Sequence, residues 1–229
     1  MFLYDTHVHT NKVSACADCT PSEQVWEYKR QGYSGVIITD HFINGNTHSV
    51  RHLPWEKKMD FIYSGYKAAK EVGDECDFDV FFGWEYAIGG SDILTYGLDI
   101  DFLYVNPDLT NLGIKEYSKR IRQHGGFLVQ AHPYRKAEWI RKPFPHNAKF
   151  LDGIEVFNAA NTNAENRQAY VFAKENNLAM SAGTDSHRVD GQKKSGLALK
   201  QRAGSIFDII DALKENTAKL ILPSETYFI

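Results

Sequence analysis

Phe2-Leu3-Tyr4-Asp5-Thr6-His7-Val8-His9 is a short apolar run that closes in a His-x-His pair. On an extended chain, side chains two residues apart point to the same face. Two imidazoles at that spacing can therefore grip one metal ion from a single strand end. Asp5, two residues before His7, is placed to hold an imidazole N–H from behind. The same pattern also occurs as two exposed strand histidines that bind nothing, so the pair alone does not choose. The rest of the chain has to decide.

Working outward, 229 residues fit one α/β barrel or sheet, and 43% hydrophobic with 24% charged residues is a globular composition. A formal net charge of -3 offers no basic face, which argues against a stable nucleic-acid partner held through phosphates. A small phosphorylated substrate is still compatible with that charge. No run approaches the roughly 18 apolar residues of a membrane span, and Asp5 and His7 stand where a secretion signal would be basic and then apolar. The expectation is a soluble cytoplasmic protein without a membrane partner. Three cysteines make no disulfide framework; Cys16-x-x-Cys19 lacks a second such pair and reads as two small loop side chains.

Strand and helix patterns alternate along the chain. Phe2–His7 reads as a strand, and Thr20-Pro21-Ser22-Glu23 opens a helix with Thr20 as N-cap, Pro21 at the first position and Glu23 closing a capping box. That helix should end near Gly32. Strands are expected at Gly35–Thr39, Phe78–Trp84, Asp101–Val105, Phe127–Ala131, Asp152–Phe157 and Ala179–Gly183, with Lys219–Leu222 as a closing strand. Helices are expected at Trp55–Glu71, Lys115–Gln123, Ala164–Glu175 and Ser205–Lys214. About seven such repeats with no linker favour a single domain over 1–229, built as a closed or nearly closed parallel barrel. An open doubly wound sheet would want a glycine-rich phosphate loop, and none is present.

Polar residues recur where those strands end: His7 and His9, Asp40 and His41, Glu85, His132, Glu155 and Asn158, then Asp185 and His187. In a parallel barrel these ends share one face. Seven candidate ligands, His7, His9, His41, Glu85, His132, Asp185 and His187, exceed the roughly four that one zinc ion takes. Mixed imidazole and carboxylate donors suit zinc, manganese or iron. Two or three such ions would hold a bridging hydroxide and clamp a phosphoryl group.

The set Asp5-x-His7-x-His9-Thr10, Ala17-Asp18-Cys19-Thr20-Pro21, Thr39-Asp40-His41, Gly83-Trp84-Glu85, Ala131-His132-Pro133 and Gly183-Thr184-Asp185-Ser186-His187 resembles the PHP (polymerase and histidinol phosphatase) family in order and approximate spacing, from Phe2 to His187. The resemblance implies a distorted (β/α)7 barrel, TIM-barrel-like, that hydrolyses phosphate esters on a dinuclear or trinuclear centre. It implies one metal on His7, His9, Glu85 and Asp185, a second bridged by Glu85 and bound by His132, and a third on Asp18, His41 and His187. Relatives often carry a His where this chain has Asp92, so either Asp92 stands in as a ligand of the second metal or that site has fewer protein ligands.

Arg135, two residues after Pro133, is the first choice to bind phosphate, because the guanidinium fork matches it. Lys136, Arg141 and Lys142 share its loop, and Arg188 with Lys193-Lys194 forms a second basic rim. His187 or a metal-held water would protonate the leaving alkoxide. His124, before Gly125-Gly126, reads as a helix C-cap, whereas His48, His52 and His146 read as loop residues. The substrate class expected is a small phosphate ester, such as histidinol phosphate or a nucleotide. An amidohydrolase-like C–N hydrolase would want a bridging lysine that no strand end supplies, and a noncatalytic PHP module would have lost ligands.

Overall fold

The computed structural model describes residues 1–138, 140–190 and 194–223. Its strands are β1 (Phe2–Val8), β2 (Gly35–Ile38), β3 (Asp79–Ile88), β4 (Ser91–Tyr96), β5 (Phe127–Gln130), β6 (Gly153–Asn158), β7 (Ala179–Gly183), β8 (Gly196–Leu199) and β9 (Lys219–Ile221). Its helices are α1 (Pro21–Arg30), α2 (Trp55–Glu75), α3 (Ile100–Tyr104), α4 (Ile114–Gln123), α5 (Asn163–Glu175) and α6 (Ile206–Lys214). All strands join one sheet in the order β7-β6-β5-β4-β3-β2-β1-β8-β9. The sheet curls until the chain beyond β7 meets β1: Val8 bridges Ser186 in parallel, and the Asp185 N–H donates to the His7 carbonyl at 2.9 Å. The result is a nearly closed, seven-stranded barrel, β1 to β7, with β8 and β9 running antiparallel from the other edge of β1.

Local chemistry accounts for most of these elements. Thr20 and Glu23 form the expected capping box on α1, and Thr162 with Glu165 does the same for α5. Strands β2 and β6 are buried at every position, as strands covered on both faces must be. Helix α2 buries Met59, Ile62, Gly65, Ala69 and Gly73 at helical spacing.

Three elements differ from the sequence reading. Asp101–Val105 is not a strand but part of α3, because the Asp99 carboxylate accepts the Phe102 N–H at 3.1 Å and caps a helix. The fourth barrel place is taken instead by β4, antiparallel to both neighbours. It returns from β3 through Gly89 and Gly90, with φ of +61° and +89°. Positive φ at both centres is what a tight two-residue hairpin demands, and glycine supplies it without strain. Strand β8 was also not anticipated. No helix among the described residues is long and apolar enough to cross a membrane.

Candidate metal centre

One end of the barrel collects the polar residues. His7 near the end of β1 and His9 just past it have no exposed surface, Glu85 lies in β3, His41 follows β2, His132 follows β5, and Asp185 and His187 follow β7. Three groups have donor atoms within 4.8 Å of one another: His7, His9 and Asp185; His7, Glu85 and His132; and His9, His41 and His187. The Nε2 atoms of His7 and His9 are 3.0 Å apart. Asp185 Oδ1 stands 3.4 and 3.3 Å from those two nitrogens, and Glu85 contributes its Oε1 at 3.3 Å and Oε2 at 3.5 Å. Glu85 also reaches His132 Nε2 at 3.2 Å and His41 Nδ1 at 2.7 Å, so one carboxylate touches all three groups.

Partners behind the imidazoles fix which nitrogen carries the proton. His7 Nδ1–H donates to Glu155 Oε1 at 3.0 Å, and His9 Nδ1–H donates to Ser14 Oγ at 3.1 Å. The Ser14 hydroxyl in turn donates to Asp40 Oδ1 at 2.7 Å and accepts the His41 backbone N–H at 3.1 Å. His187 Nδ1–H donates to the Asp185 carbonyl at 2.9 Å. With Nδ1 protonated on both His7 and His9, two nitrogen lone pairs face each other across 3.0 Å. With both rings neutral that contact repels, and either a proton on one Nε2 or a metal ion between the two relieves it. The spacing is close to the roughly 3.3 Å edge of a tetrahedron of nitrogen donors about 2.0 Å from zinc. The donor set therefore fits a divalent metal centre.

Electrostatics agree. Burial works against a charged His7, yet Asp185, Glu155 and Glu85 raise its pKa well above the usual imidazole value. Burial and the neighbouring His187 and His41 push His9 well below it. Glu85 and Asp185, which burial alone would raise, are held well below the carboxylate range, Glu85 by His41 and His7 and Asp185 by His7 and Arg135. The cavity thus favours positive charge at its centre. Backbone strain collects here too: His132 and Asp185 hold φ of +29° and +57°, a conformation that costs a side-chain-bearing residue about 1–3 kcal/mol and clusters at functional sites.

Several predicted residues stand elsewhere than the sequence suggested. Asp5 does not hold an imidazole; Oδ1 accepts the backbone N–H groups of His7 and Thr184, and Oδ2 accepts the Tyr28 hydroxyl. The register of β1 on β2 shifts between Asp5 and Val8, which ends the simple alternation of faces. Glu155 holds His7 instead. Asp18 is exposed and pairs with Arg188 Nε at 2.8 Å, outside the three groups. Cys16 lies nearer: its Sγ is 3.2 Å from His41 Nε2 and 3.1 Å from His187 Nε2. Burial raises that thiol, but His187 and His41 bring it down to about 6. Asp92 shares a face of the β3–β4 hairpin with Glu85 and lines the cavity, but it lies outside the three donor groups. Burial and Glu85 raise its carboxyl to about 6.

Arg135 commits three of its five N–H groups within the site: Nη1 donates to Asp185 Oδ2 at 2.6 Å, Nη2 to Asn158 Oδ1 at 2.6 Å and Nε to Asn161 Oδ1 at 2.8 Å. Of the other basic groups, Lys194 donates to the Gln31 carbonyl and Lys193 lies outside the described residues. His124 caps α4 through the Arg120 carbonyl, His146 bonds Ser91, His48 bonds the Asn11 carbonyl, and His52 is exposed. Ser14 was missed because a serine in a loop carries no signal of its own.

Above the groups opens a cavity of about 620 Å³, lined among others by Glu85, Asp92, His132, Arg135, Asp185 and His187. No family model and no curated protein matches this chain. Solved structures do. A two-domain protein from Bacteroides vulgatus containing a predicted PHP-like metal-dependent phosphoesterase aligns over 97% of this chain at 16% identity and a TM-score of 0.72. An amidohydrolase from Chromobacterium violaceum aligns over 97% of this chain and 98% of its own, at 13% identity and a TM-score of 0.61. A lesion-specific endonuclease from Pyrococcus furiosus aligns over 96% of this chain at 12% identity and a TM-score of 0.60. This chain spans 65% of the Bacteroides protein and 58% of the endonuclease. The fold is thus the PHP-like, TIM-related barrel expected from the sequence.

Proposed function

We propose that this protein is a PHP-family metal-dependent phosphoesterase that cleaves a small phosphate ester in the cavity above β1 to β7. The observation that carries the reading is the convergence of the His7 and His9 Nε2 atoms, ringed by Asp185 and Glu85. His7, His9, Glu85 and Asp185 would hold one ion, Glu85 and His132 a second beside Asp92, and His41 with His187 a third. Bound metal ions would lower the pKa of a water toward neutrality and neutralise phosphoryl oxygens. Zinc, manganese and iron all suit these donors.

The chain's own residues do the rest. Glu155 and Ser14 keep the Nε2 atoms of His7 and His9 free by holding their Nδ1 protons. Arg135 spends three of its five N–H groups on Asn158, Asn161 and Asp185, which lock the guanidinium against the ligand set. Its two remaining donors serve a phosphoryl oxygen. His187 has Nδ1 on a backbone carbonyl and Nε2 toward Cys16, which suits a ligand better than a leaving-group acid.

The test is a metal-stripped sample reloaded in turn with zinc, manganese and iron(II). Phosphate release is measured from an aryl phosphate, its diester, histidinol phosphate and a nucleotide, beside ammonia release from an amide panel. Turnover should need metal, and His7→Ala should lose bound ions and turnover together. Full activity in the stripped protein would end the reading. Ammonia release without phosphate release would favour the C–N hydrolase that the Chromobacterium neighbour's description brings to mind.

A further inference from the structure

We propose that Cys16 is a thiolate ligand that completes, with His41 and His187, a metal position at the cavity wall preferring zinc-class ions to manganese or magnesium. The proposal rests on the reading of this barrel mouth as a metal centre. Its basis is a mismatch of protons and lone pairs. His187 Nδ1 faces the Asp185 carbonyl and His41 Nδ1 faces Glu85 Oε2 at 2.7 Å, and both partners accept. Each ring, when neutral, therefore carries its proton on Nδ1 and presents an Nε2 lone pair. Both lone pairs aim at one sulfur, at 3.2 and 3.1 Å. A single S–H can satisfy only one of them, and a thiolate satisfies both only if each ring takes a second proton. A metal ion bound by all three satisfies every donor at once.

The loop that presents the sulfur is pinned on several sides. Ala15 N–H donates to the Asn46 carbonyl at 2.9 Å, Asn11 N–H to the Cys19 carbonyl at 2.8 Å, and Asp18 N–H to the His187 carbonyl at 2.9 Å. These bonds turn Asp18 outward to Arg188 and Cys16 inward, so the acid suggested by the sequence and the sulfur exchange roles. Cys19 is separate: it is buried and its Sγ faces the His9 carbonyl at 3.9 Å. As the sulfur binds, its proton leaves to solvent and its lone pair goes to the ion, while both imidazoles bind neutral; nothing is oxidised or reduced. A thiolate beside two imidazoles favours zinc, cobalt(II) or iron(II) over the hard ions that carboxylates accept.

Cobalt(II) reconstitution of the intact chain separates this proposal from the one it rests on. Visible d–d bands report any imidazole and carboxylate site, and a near-ultraviolet sulfur-to-cobalt charge-transfer band reports a thiolate. Wild type should show both. Cys16→Ser should keep the d–d bands, lose the charge-transfer band and bind one equivalent of zinc at least about tenfold more weakly. Cys19→Ser and Cys76→Ser should keep both bands. Cys16→Asp should recover the equivalent but accept manganese, with no charge-transfer band. Zinc should also protect Cys16 of unmutated protein from iodoacetamide, located by peptide mass, which needs no variant to fold. Cobalt d–d bands without charge transfer in wild type, or Cys16 alkylated equally with and without zinc, would overturn the thiolate and leave the centre standing. No cobalt spectrum at all would remove the centre and this proposal with it.

Discussion

The two ends of the barrel handle charge in opposite ways. At the N-terminal end of the strands, Asp79 accepts the Arg202 guanidinium through contacts of 2.8, 2.9 and 3.1 Å and the Tyr4 hydroxyl at 2.8 Å. Arg202 also reaches Asp77 at 2.7 Å, and the Ala203 N–H donates to the Tyr4 hydroxyl at 2.9 Å. Every one of these groups meets its complement within the chain. At the other end Glu85, Asp185 and Glu155 crowd buried imidazoles whose Nε2 atoms face one another, with Arg135 as the guanidinium among them. The closed end completes its own electrostatics and serves stability. The mouth leaves them incomplete, and under the proposed function that incompleteness is what would recruit ions and substrate.

The largest effect that can break this contrast is expected at Glu155. It holds His7 Nδ1–H and also accepts the His132 N–H at 2.9 Å, so it orients two candidate ligands while touching no ion itself. Glu155→Gln should weaken zinc binding by about 10–100-fold, as loss of a ligand-orienting partner commonly does. Competition against a chromogenic chelator measures it. Ser14→Ala should act similarly through His9. Unchanged affinity in both would show that the ligand nitrogens are held by the barrel itself.

At the closed end the expected outcome is the reverse. Arg202→Ala removes the fork on Asp79 and should cost about 1–2 kcal/mol, and a melting point that falls by about 2–4 °C per kcal/mol reads it. Tyr4→Phe should cost about 1 kcal/mol by removing one hydroxyl bond. Turnover per folded molecule and bound metal should not move in either variant. A drop in kcat with the fold intact would mean that the two ends are coupled, and the division of labour between them would fail.

How much of this was legible beforehand follows the same division. Strand ends bearing His, Asp and Glu are local signals, so the barrel and most of the polar cluster could be read from runs such as GVIIT and FLVQA. The β3–β4 hairpin was equally local. Gly89-Gly90 between two β-like runs is a turn signal, and it was passed over in favour of Asp101–Val105, whose apolar run is too short to tell strand from helix. What could not be read is long-range. Ser14 is tied to His9 and Asp40, and Cys16 to His41 and His187, by a loop whose path depends on bonds to Asn46 and His187. Spacing in sequence cannot say that Cys16 turns in while Asp18, two residues on, turns out.

The smallest effect concerns how the mouth's loops are fastened. Glu165 closes the α5 capping box, accepting the Thr162 N–H at 2.8 Å, and its other oxygen accepts the Lys136 N–H at 2.9 Å, one residue after Arg135. Burial works to raise its pKa, but the two backbone donors, the Thr162 hydroxyl and Arg135 outweigh it, and the net shift is downward. A carboxyl depressed on folding contributes stability that is present above the ordinary glutamate range and disappears as pH falls through the folded-state value. Glu165→Gln keeps the shape and removes the charge. It should cost about 0.5–1 kcal/mol at neutral pH, the usual scale of an N-terminal cap. At a pH low enough to protonate the wild-type carboxyl, below its depressed folded-state value, that gap should close. Urea midpoints of metal-free protein at the two pH values measure it. A gap that stays constant with pH would assign the cap to geometry alone, and the contrast between a charge-complete scaffold and a charge-incomplete mouth would then not extend to the loop that carries Arg135.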